Sequence, residues 1–347
     1  MRVVVVMLLV GNCLGNPRLD AVPFPDFPDS LGVAGAFMGV SNGVLIVAGG
    51  SVFDRPLWAG GTKQLRNEIW VLRRGIDGQY IWAHGGKLPV EVSNGTSVTV
   101  AQGVVCIGGV TASGETNHVF MLRWNEEKET VELADLPSLP RACAYGSATS
   151  YKSRIIAAGG KDAMSPDGMD HCWELDLMQA HQNGWKLLNR LPTPRFGAIL
   201  ATLEAHGKPY LLLASGKRGP HYLTDSYHCA LDDAGSGWER LDEMPRAALV
   251  AATTVVGDTS MLVFGGSDGV NIENRLTLRN QYHLNDTVLH YDTSTKAWTD
   301  VGRMPEGVVA TQAIPWKDGV LLVGGELGNA MRSRKVWWFK EADSQGY

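Results

Sequence analysis

The sequence predicts an all-β, six-bladed β-propeller whose last blade is closed by a strand from the N-terminus. Three observations predict it. An apolar run ending in a glycine pair recurs six times, a tryptophan-to-proline spacing keeps the same beat, and the segment missing from the final unit has a counterpart near the start of the chain. Units of this length repeated through a chain mark propellers or solenoids, because one unit alone cannot bury its apolar faces.

The apolar runs are Val44 to Ala48 before Gly49-Gly50, Val104 to Ile107 before Gly108-Gly109, and Ile155 to Ala158 before Gly159-Gly160. Tyr210 to Ala214 then precedes Ser215-Gly216, Met261 to Phe264 precedes Gly265-Gly266, and Val320 to Val323 precedes Gly324-Gly325. They are spaced 59, 51, 56, 50 and 59 residues apart. Short continuous apolar runs bounded by glycine read as fully buried strands. The glycines are expected where an inner strand ends near a crowded axis, leaving no room for a Cβ or demanding a positive φ.

The second signal is a tryptophan followed seven residues later by proline: Trp82 and Pro89, Trp185 and Pro192, Trp238 and Pro245, Trp298 and Pro305. Thr130 and Pro137 make a fifth copy. Each of these prolines precedes the next glycine pair by 19 to 23 residues. The tryptophan bodies are expected to wedge between neighbouring blades. No sixth copy follows the last glycine pair. Phe27-Pro28, however, lies 21 residues before Gly49, in register with the others, with Ala21 at the tryptophan position. The N-terminus therefore supplies the outer strand that the last unit lacks, and the ring closes without an open edge.

Between glycine pair and proline each unit carries an aromatic-rich strand: Ile69 to Leu72, Val119 to Leu122, Cys172 to Leu175, Tyr227 to Leu231, Val288 to Tyr291 and Val336 to Phe339. With the segment before each apolar run this makes four strands per unit. No helical periodicity of useful length interrupts them, which excludes an α/β fold with crossover helices. Residues 16–347 read as one propeller domain. Residues 1–15 read either as a short secretory signal, one arginine and then an apolar run from Val3 to Val10, or as a buried valine-rich strand. The signal reading places the protein in the periplasm or outside the cell. The run is too short to span a membrane.

Composition narrows the chemistry. The net charge is -5 and no run of lysine or arginine stands out, which argues against a nucleic-acid surface. Glycine is abundant, 41 of 347 residues. The five cysteines are scattered and the nine histidines form no ligand-spaced cluster, so neither a disulfide framework, a metal site nor a cofactor is predicted. Cys106, inside an apolar run, reads as a small core residue. Asn94-Gly95-Thr96 and Asn285-Asp286-Thr287 match glycosylation triplets, a pattern that chance often produces.

A repeat accounts for its own scaffold, so function is sought where one unit departs from the rest. The residue after each glycine pair should face the channel mouth: Ser51, Val110, Lys161, Lys217, Ser267 and Glu326. Glu326 is the one carboxylate in that series and Lys161 and Lys217 share the rim. Six residues on stands Arg332, where the other units have Leu57, Thr116, Asp167, Leu223 and Glu273. Such a pair has two readings from spacing alone. It is either an acid–base and anion-binding site or a loop ion pair of little consequence.

Glycine pair, aromatic strand and later tryptophan together form the kelch pattern, and the chain resembles kelch propellers over nearly its whole length. Gly325-Glu326-Leu327-Gly328-Asn329-Ala330-Met331-Arg332, followed by Val336-Trp337, resembles the Gly-Glu…Arg element of the N-acetylneuraminate epimerase family, sialic acid mutarotases. The blocks Gly32 to Phe37 with Val40 to Gly43, and Gly49 to Trp58 with Gly60 to Lys63, are similar to further blocks of that family. Because the Gly-Glu…Arg element comes last here, the chain resembles a cyclically permuted branch.

The resemblance implies a small anionic sugar as partner and interconversion of the α and β anomers of N-acetylneuraminate. Glu326 would move the proton on the anomeric hydroxyl, and Arg332, aided by Lys161 or Lys217, would bind the carboxylate. Lys63 and Trp58 would shape the pocket, and Arg279 and His283, in the loop Ser267 to Leu284, would reach over the channel. The alternatives from other classes are a non-catalytic kelch interaction module and a carbohydrate-binding protein. A copper-radical oxidase lacks its Tyr/Cys/His constellation.

Overall fold

The computed structural model describes residues 19–232 and 237–341, so the signal-like run and Cys13 lie outside the described residues. Six four-stranded antiparallel sheets stand around one axis. Blade one holds Phe37–Ser41, Val44–Ala48, Glu68–Arg74 and Tyr80–Lys87, from the axis outwards. Blade two holds Thr96–Val100, Gly103–Ile107, Val119–Asn125 and Thr130–Leu136, and blade three Ser147–Tyr151, Arg154–Ala158, Cys172–Asp176 and Lys186–Leu187. Blade four holds Ile199–Ala205, Lys208–Ala214, Ser226–Ala230 and Glu239–Leu241, and blade five Ala252–Val256, Ser260–Phe264, Thr287–Asp292 and Ala297–Arg303. Blade six is Ala313–Trp316, Gly319–Val323 and Val336–Glu341, completed on the outside by Leu19–Phe24.

The predicted closure is present. Leu19–Phe24 runs antiparallel to Val336–Glu341 with Ala21 opposite Phe339. Phe27 follows, 3% exposed, with its ring edge-on to Trp70 and Trp82 in the core between blades six and one. The tryptophans wedge as expected: Trp82 against blade six, Trp185 against blade two, Trp238 against blade three and Trp298 against blade four. The indole N–H of Trp82 donates to Pro25 and that of Trp185 to Pro137, so the inserted bodies are also tethered.

The glycine pairs take the positive φ expected of them, +67° at Gly49 and +95° at Gly50 for example, but the crowding has another source. The glycine-bounded run is the second strand from the axis, and the crowding comes from the next blade rather than from the channel. A Cβ on Gly49 would stand 2.6 Å from the carbonyl oxygen of Val92, and one on Gly324 2.5 Å from that of Val33. The second glycine donates its N–H across the same joint: Gly50 to Val92, Gly109 to Cys143, Gly160 to Arg195, Gly266 to Val308 and Gly325 to Val33. In blade four Ser215 stands at the first position with φ +55°, and its hydroxyl accepts from the N–H of Ala248 at 2.7 Å. Beside it Arg195, fully buried, forks onto Asp225 at 2.7 and 2.9 Å and donates to the carbonyl of Ser215.

Nearer the axis, the residue that leads into each innermost strand joins a closed ring of six backbone hydrogen bonds. Gly35 donates to Ala310, Ala310 to Val250, Val250 to Gly197, Gly197 to Tyr145, Tyr145 to Asn94 and Asn94 to Gly35, at 2.6 to 3.0 Å. All six take a positive φ, between +54° and +66°. Below this ring the channel is lined by one segment from each blade, and the Gln312 amide from blade six crosses to the Ser97 hydroxyl of blade two at 2.9 Å. Cys106, Cys143, Cys172 and Cys229 are buried thiols. Among the described residues no helix is long and apolar enough to cross a membrane.

Candidate functional site at the channel mouth

The six residues that follow the glycine pairs occupy equivalent places. Each bridges the residue just before the hydrogen-bonded ring: Ser51 with Ala34, Val110 with Ser93, Lys161 with Ala144, Lys217 with Phe196, Ser267 with Leu249 and Glu326 with Val309. The series anticipated from sequence therefore circles one mouth of the channel.

Glu326 and Arg332 face each other across a short hairpin whose tip is the turn Gly328–Ala330. Consecutive positive φ angles at Asn329 (+57°) and Ala330 (+64°) reverse the chain tightly enough to bring the two together. Arg332 Nη1 donates to Glu326 Oε2 at 2.5 Å and to the Ala330 carbonyl at 3.0 Å. Its Nε donates to the Ser51 carbonyl and its Nη2 to the Ser51 hydroxyl, at 3.2 and 3.3 Å. The guanidinium lies 4.9 Å over the Phe53 ring, and the side chain is only 4% exposed. Glu326 is 32% exposed, and its Oε1 accepts no hydrogen bond among the described residues. One oxygen is clamped and the other is open.

Other groups share this space. Tyr145, from the blade opposite, points its hydroxyl at the Asn94 amide, 2.9 Å away. Burial first and then the Glu326 carboxylate push that hydroxyl up, against the pull of Arg332. Lys63 lies directly across the strand pair from Phe53. It keeps solvent contact, yet surrounding protein displaces enough water that desolvation, then repulsion from Arg332, lowers its ammonium to about 8 despite the attraction of Glu326. Lys161 adds to the repulsion and stands 5.1 Å over the Tyr145 ring and 4.9 Å over Phe196.

The structure thus brings Glu326, Arg332, Lys63 and Lys161 together at one mouth; Lys217 holds a rim position too but packs on its own hairpin, and the remaining candidates lie aside. Lys217 lies 4.7 Å over Tyr222 of its own hairpin. Arg279 lies 5.4 Å over Trp58, joining the blade-five loop to blade one, and its carbonyl accepts from the Asn329 amide at 2.5 Å. These two brace the hairpin from outside. His283 is exposed and lines a cleft with Asp286 and Glu306 between blades five and six, not the mouth. Asn94 is 8% exposed inside the ring, so its triplet has no room for a glycan. Among the described residues no three metal-ligating side chains converge.

Tyr145, Phe53 and Ser51 escaped the sequence reading as partners of the site. A signal for Tyr145 existed: it stands fourteen residues before the first glycine of its pair, as do Gly35, Asn94 and Ala310.

The fold, with one irregular blade carrying the site, defines a kelch-type propeller, and the Kelch motif itself matches residues 248–305, which hold all four strands of blade five. Within that class the chain is a relative of the kelch-repeat N-acetylneuraminate epimerase family. A Vibrio cholerae protein of that name is 38% identical over 115 residues, 30% of this chain and 28% of the relative. One from Yersinia enterocolitica is 26% identical over 232 residues, 58% and 56% of the two chains, and one from Yersinia pestis 33% over 137 residues, 36% and 34%. In these matches the chain spans from just over a quarter to just over half of its relatives' length.

Proposed function

We propose that the protein is an isomerase that interconverts the α and β anomers of N-acetylneuraminate by acid–base-assisted ring opening. One observation carries the reading: a carboxylate at the channel mouth, fixed through one oxygen by a buried arginine and open at the other. The axial cavity at the ring is only about 140 Å³, and the larger one of about 550 Å³ lies further along the axis, lined by the innermost strands and not by Glu326, so the sugar would sit at the mouth among the hairpins. Glu326 Oε1 would take the proton of the anomeric hydroxyl as the bond from the anomeric carbon to the ring oxygen breaks, the ring oxygen gaining a proton from water. Rotation of the open-chain ketone and the reverse steps on its other face give the second anomer. One such group contributes about 100- to 10,000-fold.

The names of the relatives support the substrate class. The protein is placed in the periplasm or outside the cell on its signal-like run. The late Gly-Glu…Arg element is read as a cyclic permutation. The test is NMR exchange between the anomers of N-acetylneuraminate, with faster exchange in the presence of protein as the expected result and the uncatalysed rate as the refuting one. A second reading, a module that binds without catalysis, has the exposed Trp58, Leu276 and Met331 on its side. Binding with no gain in exchange rate would select it.

A further inference from the structure

An anionic sugar calls for a cation at the mouth, and Arg332 is not free to be that cation. Its guanidinium is 4% exposed, one face lies over Phe53, and its donors already meet Glu326, Ala330 and Ser51. A buried fork engaged on all these sides cannot also offer two parallel N–H groups to an incoming carboxylate.

Two other cations are free. Lys63 and Lys161 have no carboxylate within ion-pair distance among the described residues, although the two ammonium groups repel each other. Lys161 is aimed by an aromatic cradle, the rings of Tyr145 and Phe196. Lys63 is aimed by strand pairing, opposite Phe53 and so beside the Arg332 guanidinium. Among the groups that act on Lys63, two cations (Arg332 and Lys161) stand against one carboxylate (Glu326). Two unpaired like charges held together are a destabilising arrangement that an anion relieves.

We propose that Lys63 and Lys161, reaching in from blades one and three, form the clamp for the substrate's carboxylate, and that Arg332 is a positioning residue that holds Glu326. The assignment rests on the mutarotase reading for the identity of the sugar, not for the existence of the clamp. It also carries a pH dependence. The groups facing Lys63 are Arg332 and Glu326 from blade six and Lys161 from blade three, with Asp54 and Arg55 on its own hairpin. Glu115 of blade two is a further carboxylate felt at Tyr145. Because the empty Lys63 loses its proton near pH 8, carboxylate binding is full below that pH and weakens above it, by up to about tenfold per pH unit, until Lys161 holds the anion alone.

The experiment compares N-acetylneuraminate with its uncharged methyl ester by ligand-observed NMR titration, and measures anomer exchange in parallel. Wild type is expected to prefer the acid at least about tenfold, the value of one charge-assisted contact in a half-wet site. Lys63→Met and Lys161→Met should each remove most of that preference and leave ester binding unchanged, raising KM with kcat retained. Lys63→Arg should keep the preference and abolish the weakening above pH 8. Arg332→Lys should lower kcat with the acid preference intact. An acid-to-ester ratio unmoved by either methionine variant, or abolished by Arg332→Lys alone, overturns the clamp. Binding of the acid without faster exchange overturns the mutarotase reading and leaves the clamp standing. If N-acetylneuraminate does not bind, D-glucuronate against D-glucose is the second acid and neutral pair. A glucuronate preference lost in Lys63→Met sustains the clamp, and no preference overturns it.

Discussion

Replacing Glu326 by glutamine separates proton transfer from architecture. The amide keeps the shape of the side chain, and its oxygen can still accept from Arg332 Nη1, which also retains the Ala330 carbonyl. Nε and Nη2 keep Ser51. The structural loss is one ion pair whose acidic partner is a third exposed, worth about 1 kcal/mol after solvent screening. The kinetic loss is the whole acid–base contribution, about 100- to 10,000-fold, or about 2.7 to 5.5 kcal/mol of barrier. The variant should therefore unfold within a few degrees of wild type and lose nearly all catalysed exchange. Saturation-transfer NMR between the anomer signals, corrected for the uncatalysed rate, reads the second quantity and a thermal scan the first. A variant that exchanges anomers within about twofold of wild type removes Glu326 from the chemistry.

Three further predictions concern the scaffold that aims the site. Arg195→Met leaves Asp225 uncompensated beside a buried joint and should lower stability by about 3 to 5 kcal/mol in urea titration; a loss near zero would show that the pair is replaceable by packing. Ser215→Ala orphans the buried N–H of Ala248 and should cost about 1 to 3 kcal/mol by the same measurement, whereas an unchanged midpoint would mean water takes over the hydroxyl's role. Phe27→Ala empties the seam between blades six and one and should cost about 3 to 5 kcal/mol, with catalysis lost at a lower urea concentration than in wild type; coincident activity and stability profiles with wild type would refute the role of that seam.

The repeat was legible because its residues answer to local requirements. A positive φ selects glycine, a buried strand selects a continuous apolar run, and an inter-blade wedge selects tryptophan. Even so, the glycine pairs were assigned to the wrong neighbour, since sequence does not show which backbone a missing Cβ makes room for. Glu326 and Arg332 stood out because they break the pattern within seven residues. The burial of Arg332 did not, because it depends on Ser51 and Phe53, and Ser51 lies 281 residues away along the chain. Lys63 was indistinguishable from any solvated lysine, for its environment is assembled from blades one, three and six. Tyr145 is the one aromatic in a ring otherwise filled by Gly, Asn, Val and Ala, a contrast visible only once the ring is drawn.

The blade that bears Glu326 is also the one stitched from an early and a late segment of the polypeptide, Leu19–Phe24 against Val336–Glu341. During translation the first of these partners leaves the ribosome early and must wait, unpaired along that edge, until almost everything else has been made. The Glu326 hairpin gains its full blade only after the late partner arrives. On the proposed mutarotase reading, anomer exchange would therefore double as a proofreading signal: a nascent or clipped molecule missing either flank would be silent, however well its middle blades have folded.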